Sequence, residues 1–131
     1  MAVSNLFPKP TTPTGRPQVL IGWKGLNIGI ECQPGDVRHG RIMQVSYGHV
    51  QGYVGADKDA LDVYLGNKPA STRVFQINQL KPNGAFDEHK FMLWFSEPDE
   101  ALNAYLQHMP AHFCGGMQEI QLSQLEKYKK R

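Results

Sequence analysis

The chain has no long hydrophobic run, almost no net charge, only two cysteines and no internal repeat. Each shortage excludes something. No window approaches the roughly 18 consecutive apolar residues of a helical membrane span, so no membrane partner is expected. The opening residues, MAVSNLFPKPTTPTG, hold no apolar run of the signal-peptide kind, which makes the cytoplasm the expected compartment. Cys32 and Cys114 fit no C-x-x-C spacing, so neither a zinc ribbon nor a redox pair is readable and two buried reduced thiols are expected. The 14 Lys and Arg residues against 12 Asp and Glu leave a formal charge of +2, too little to draw in a polyanion, and no nucleic-acid partner is expected. The one dense basic run, KYKKR, suits the last turn of a solvated helix, where cations meet the negative end of the helix dipole.

What remains is a small globular protein. At 131 residues one domain buries roughly two-thirds of the surface its unfolded chain exposes, enough for a core without metal or disulfide staples. Pro8, Pro10, Pro13 and Pro17 fall within residues 1–18 and resist regular pairing, so an extended arm is expected there and a single domain over 19–131. From Gln18 the texture changes to short β-type runs bounded by Gly, Pro or Asn: QVLI, LNIGIE, RIMQVS, LDVYL, RVFQIN and HKFMLWF. In the last of these Phe91, Leu93 and Phe95 share one face and Met92 and Trp94 the other, as in a strand covered on both sides. Helices are expected only afterwards. Ser96 and Asp99 have the capping-box form ahead of a stripe of Ala101, Leu102, Tyr105, Leu106 and Met109 that Pro110 closes, and Ser123 with Glu126 repeats the form. Strands first and helices later predict an α+β protein, a small barrel or strongly curved sheet with helices against one side.

The chemistry concentrates in acidic clusters. In GADKDALDV, Asp57, Asp59 and Asp62 lie close together between a Gly-rich turn and a β-type run. Two such charges repel by about 1 kcal/mol at 4 Å in water, and by several times that where water is partly excluded, so solvent or a cation must compensate them. Magnesium, which takes oxygen ligands and keeps some waters, fits such a cluster, whereas an EF-hand loop fails because its glycine and glutamate positions fall on Asp62 and Lys68. On spacing alone the cluster reads better as an acidic surface turn entering a strand. A second cluster, NGAFDEHKF, brings Asn83, Asp87, Glu88, His89 and Lys90 to the start of the Trp94 strand. Glu31 stands inside the apolar run NIGIEC, either as an outward-facing strand residue or as a site residue, and DVRHGR supplies Arg38 and Arg41. Pro110 between His108 and His112 spoils the helical spacing that a zinc pair requires.

Taken in order, Glu31 in IGIECQPGDVR, YGHVQG from Tyr47, GADKDALDVYLG and FDEHK before an apolar strand resemble the soluble inorganic pyrophosphatases. More closely, they look like the pyrophosphatase-like domain of phage and mobile-element proteins. The resemblance covers about residues 26–95 and implies a small closed antiparallel β-barrel of OB-like character with two C-terminal helices. It also implies hydrolysis of pyrophosphate, or a related small phosphoanhydride, with Mg²⁺ or Mn²⁺ as cofactor. Carried over position by position, it makes Asp57, Asp59 and Asp62 metal ligands, with Asp87 or Glu88 completing the set. Asp62 or Asp59 would also face the attacking water, and Glu31 would be a further acidic member. Arg38, Arg41, Tyr47 and Lys90 would hold phosphate oxygens. The chain departs from the family where Lys58 and Ala60 replace a usual glycine and proline, where Asn83 stands for an aspartate, and where Tyr128 and Lys129 match the downstream Tyr-Lys pair in letters only. Those departures support an alternative expectation, a phage protein that keeps the fold as a non-catalytic binding or virion-assembly module. Such a module would meet a virion partner, or copies of itself, through the N-terminal arm, in the host cytoplasm or the virion.

Overall fold

A computed structural model describes residues 18–55 and 58–130, so the expected arm, apart from Gln18, and Asp57 lie outside the described residues. Its strands are β1 (Val19–Trp23), β2 (Leu26–Cys32), β3 (Val37–Arg38), β4 (Arg41–Ile42), β5 (Ser46–Val54), β6 (Ala60–Leu65), β7 (Val74–Leu80), β8 (Phe86–Leu93) and β9 (Cys114–Ile120). Among the described residues one α-helix, α1 (Pro98–His108), lies between β8 and β9, and 3₁₀ segments span Ala111–Phe113 and Leu122–Tyr128. Seven strands form one sheet in the order β1-β2-β5-β6-β8-β7-β9, while β3 and β4 pair apart from it. No helix among the described residues is long and apolar enough to cross a membrane.

This architecture corrects the expected closed antiparallel barrel. The sheet is open, with β1 and β9 at its edges, and it is mixed, because β6 and β8 run parallel with Val63 opposite Phe91. Closure is not needed to cover its faces, since each has its own cover. On one face Ile28, Ile30, Val50, Val63, Phe91 and Leu93 pack with Leu125 of the C-terminal 3₁₀ segment. On the other, Tyr47, Tyr64, Phe75, Ile77 and Met92 pack with Ala101, Ala104 and Tyr105 of α1. The second of the two expected helices is a 3₁₀ segment because Leu122, Leu125 and Tyr128 recur every three residues, the period at which 3₁₀ side chains align.

Two local expectations shift as well. The N-cap of α1 is Glu97 rather than Ser96, its backbone N–H donating to Glu100 Oε1 at 3.3 Å. The buried stripe of that helix runs through Ala101, Ala104, Tyr105 and His108, leaving Leu106 exposed. The alternation expected beyond Leu93 breaks at Trp94, whose φ of +68° turns Phe95 into the α1-side core, away from Phe91 and Leu93. Both cysteines are free: Cys32 is buried, and burial pushes its thiol up to about 11, while Cys114 is only half-buried.

The tightest backbone approach joins β2 to β5. A Cβ placed on Gly48 would lie 1.9 Å from the carbonyl oxygen of Gly29, a contact no flexible side chain can relieve. Gly48→Ala is expected to destabilise the fold by at least about 2 kcal/mol through this overpacking. Urea unfolding checks it: the midpoint falls, and an unchanged midpoint would contradict the close approach.

Candidate functional site

The α1-side face of the sheet carries its polar groups at one end. Side chains alternate along a strand, so Asp62 and Tyr64 of β6 share a face, as do Glu88, Lys90 and Met92 of β8. Antiparallel pairing sets Tyr47 opposite Tyr64 and His49 opposite Asp62, and the parallel β6–β8 register brings Lys90 beside Asp62. Lys90 is 4% exposed, and its ammonium has three N–H groups for three oxygen atoms. It donates to Tyr47 Oη and to Asp62 Oδ2, both at 2.7 Å, and lies 3.1 Å from Glu88 Oε1.

The electrostatics follow from this arrangement. Burial would lower the Lys90 pKa, but the charges of Asp62 and Glu88 outweigh it and keep the ammonium charged. Burial would raise Asp62, yet the charge and hydrogen bond of Lys90 hold its carboxyl below the usual range. Glu88 goes the other way. Burial, followed by hydrogen bonding to Asp62 and that carboxylate's charge, pushes it up to about 7 against the pull of Lys90. One carboxylate and one carboxyl holding its proton near neutrality therefore stand side by side. Burial and Asp62 also hold the Tyr47 hydroxyl in its neutral form.

Backbone irregularity brings in two more acids. The β2–β5 register shifts between Ile30 and Cys32, making Glu31 the extra residue of a bulge, and its Oε2 lies 2.9 Å from His49 Nδ1. The β7–β8 register shifts between Gln79 and Leu80, and there Asp87 Oδ2 accepts from Gln79 Nε2 at 3.3 Å. Gln79 Oε1 in turn accepts from Tyr105 Oη at 2.8 Å, tying this end of β8 to α1.

The β3–β4 hairpin turns through His39 (φ +51°) and Gly40 (φ +78°), the two positive values that a type I′ turn requires. It places Arg38 directly opposite Arg41, and like charges so placed are unfavourable without an anion. The Arg38 guanidinium carbon lies 3.8 Å from the Tyr47 ring centroid.

Of the residues expected from sequence, the structure gathers Asp62, Glu88, Lys90, Tyr47 and Arg38 into one cluster, while Glu31 pairs with His49, which stands opposite Asp62 in the β5–β6 register. Asp87 bonds Gln79, and Arg41 stands exposed on the hairpin. Asp59 is exposed ahead of β6, its backbone oxygen accepting from Gly55 N–H at 2.8 Å, and Asp57 lies outside the described residues. Lys58, the cation within the acidic block, is also exposed. Asn83 is taken up by its own turn, its Oδ1 accepting from Ala85 N–H at 2.9 Å. Among the described residues no three His, Cys, Asp or Glu side chains form a group that could hold a metal. Sequence reasoning missed Gln79, Tyr105 and the role of His49, although YGHV already displayed the histidine at even spacing from Tyr47.

A buried ammonium between two acids, with an arginine pair nearby, is a charge-dense cluster of the class suited to an anion and a proton. Consistent with that class, the family model described as inorganic pyrophosphatase matches residues 18–130, and the chain belongs to the inorganic pyrophosphatase family. No curated protein and no solved structure matches the chain.

Glu88 makes stability depend on pH. The folded protein keeps this proton up to about 7 whereas an ordinary glutamate releases it near 4.5, so the folded state binds more protons across that window and stability falls as pH rises through it. Asp62, held below 3.8, contributes only at lower pH. Glu88→Gln should remove this part of the slope. Urea midpoints of both proteins in chelator from pH 4.5 to 7 check it, and parallel curves would be the contrary result.

Proposed function

We propose that the protein hydrolyses pyrophosphate, or a related small phosphoanhydride, with Mg²⁺ as cofactor. The observation that supports this most is the Lys90 cluster, a buried ammonium at 2.7 Å from Asp62 with Glu88, whose carboxyl is pushed up to about 7, beside it, in a chain of the pyrophosphatase family. The donor set suits a hard divalent cation, because Asp62 and Glu88 are oxygen donors that share one proton where a cation would take its place. Asp62 and Glu88 would hold Mg²⁺, with Asp57 and Asp59 ahead of β6 and one or both of Glu31 and Asp87 in support. The ion would supply an acidified water and offset anionic charge.

The chain's own groups do the rest. Lys90, Arg38 and Arg41 bring positive charge to an anhydride that the carboxylates alone would repel. Tyr47, neutral at working pH, offers a hydroxyl beside Lys90. Asp62, the ionised acid, faces the water that adds to phosphorus and accepts its proton, while the bridging oxygen leaves with the second phosphate. Glu31 would orient His49, which stands opposite Asp62 in the β5–β6 register.

Phosphate release from pyrophosphate tests the reading. The native protein should release phosphate with millimolar Mg²⁺ and stop in chelator, and Asp62→Asn and Lys90→Met should each lose at least about a hundredfold, the scale of a positioned acid or base. Background release by the native protein at every Mg²⁺ concentration would overturn it and leave a non-catalytic module.

A further inference from the structure

Between the β3–β4 hairpin and the end of α1 lies a cavity of about 320 Å³, within the size range of small-molecule sites. Arg38, His39 and Arg41 of the hairpin line it, together with the apolar side chains of Met43, Met109 and Phe113. No carboxylate lines it, and among the described residues neither guanidinium has a hydrogen bond or an ion pair. Two cations held opposite each other on a two-residue turn call for an anion. A wall of two thioethers and a phenyl ring does not suit a bare, strongly hydrated phosphate, since dehydrating such an ion against apolar surface is unfavourable.

The histidine at the floor is already committed. His108 Nε2 accepts from Gln44 N–H at 2.8 Å, so Nδ1 carries the proton and donates it to the Ala104 carbonyl at 2.6 Å. With burial also favouring its neutral form, the cationic side of the cavity belongs to the hairpin. Arg38 belongs to both places, lining the cavity and lying against Tyr47, which bonds Lys90.

We infer that this cavity receives the organic group of a diphosphate monoester, a flat aromatic base against Phe113 and Met109, with the diphosphate running along Arg38 toward Tyr47 and Lys90. Nucleoside diphosphates are the matching class. The base would stack on a ring and polarizable sulfur, and the guanidinium planes would pair with phosphate oxygens. The chemical step rests on the hydrolase reading; the binding does not. In that step a water oxygen bonds to the terminal phosphorus and the bridging P–O bond breaks. A nucleoside monophosphate and inorganic phosphate leave, and one water proton is released to solvent.

The test titrates the full chain, by calorimetry without metal, with ADP, inorganic pyrophosphate and dimethylallyl diphosphate, and then measures phosphate release from each with Mg²⁺. ADP should bind at least tenfold more tightly than either of the others. The ratio of ADP to pyrophosphate affinity should fall at least tenfold in Phe113→Ala and in Met109→Ala, the second variant serving if the first does not fold. ADP binding no tighter than pyrophosphate overturns the inference, and pyrophosphate hydrolysis in that case leaves the hydrolase reading standing. Preference for dimethylallyl diphosphate overturns the aromatic base. Phe113-dependent ADP binding without phosphate release from any of the three upholds the cavity while the hydrolase reading fails.

Discussion

An ammonium removed from water loses several kcal/mol of hydration unless oxygen atoms replace the solvent, and Lys90 is placed where only protein can replace it. That requirement organises one whole face of the sheet. Asp62 must come from the parallel neighbour β6, Tyr47 from β5, and Glu88 from the same strand two residues back. Each recruit has a further consequence. Tyr47 lies edge-on to Tyr64, with ring centroids 4.8 Å apart, and offers its open face to Arg38. Glu88 and Asp62 cannot both ionise freely so close together, so one of them keeps a proton.

Asp62 and Lys90 could be singled out because like charges packed at short spacing require an explanation, although Asp59 stands exposed ahead of β6 and Asp57 lies outside the described residues. Asp62, Lys90, Tyr47, Glu88 and Arg38 do meet. Bulges were not legible. A strand's faces are read from a period of two, and an inserted residue breaks that period without leaving a mark in composition. Glu31 could therefore be argued to either face until the shift between Ile30 and Cys32 was seen to bring it to His49. Asp87 and Glu88 looked interchangeable until the shift near Leu80 gave one to Gln79 and the other to Lys90.

Five of the six β-type runs overlap a strand of the sheet, but RIMQVS does not form one. Strand β4 stops at Ile42, residues 43–45 lie in no strand, and β5 (Ser46–Val54), with Gly48 and Gly52, was not read as a strand. The order of strands was not readable, because a parallel β6–β8 pair with β7 outside it leaves no local signal. β9 escaped notice since CGGMQEI carries two glycines directly after Cys114, which weaken any strand pattern. The barrel expectation failed for a related reason. Six β-type runs in succession say that faces must be covered, but whether by closure or by α1 and a 3₁₀ segment is decided by long-range packing.

The arginine pair sits on a two-stranded hairpin outside the main sheet, joined at Arg38 and Arg41 through a turn of two positive-φ residues. An isolated two-stranded ribbon is marginal by itself, whereas β6 and β8 are locked between neighbours and buried on both faces. Opening free energies therefore differ across the site: amides of the hairpin exchange with solvent through small local fluctuations, and those around Lys90 only through far larger ones. The charged cluster thus sits on strands held between neighbours in the main sheet, and the arginine pair on a ribbon paired apart from it. Substitutions on the hairpin can therefore accumulate with less effect on the stability of the main sheet than substitutions around Lys90.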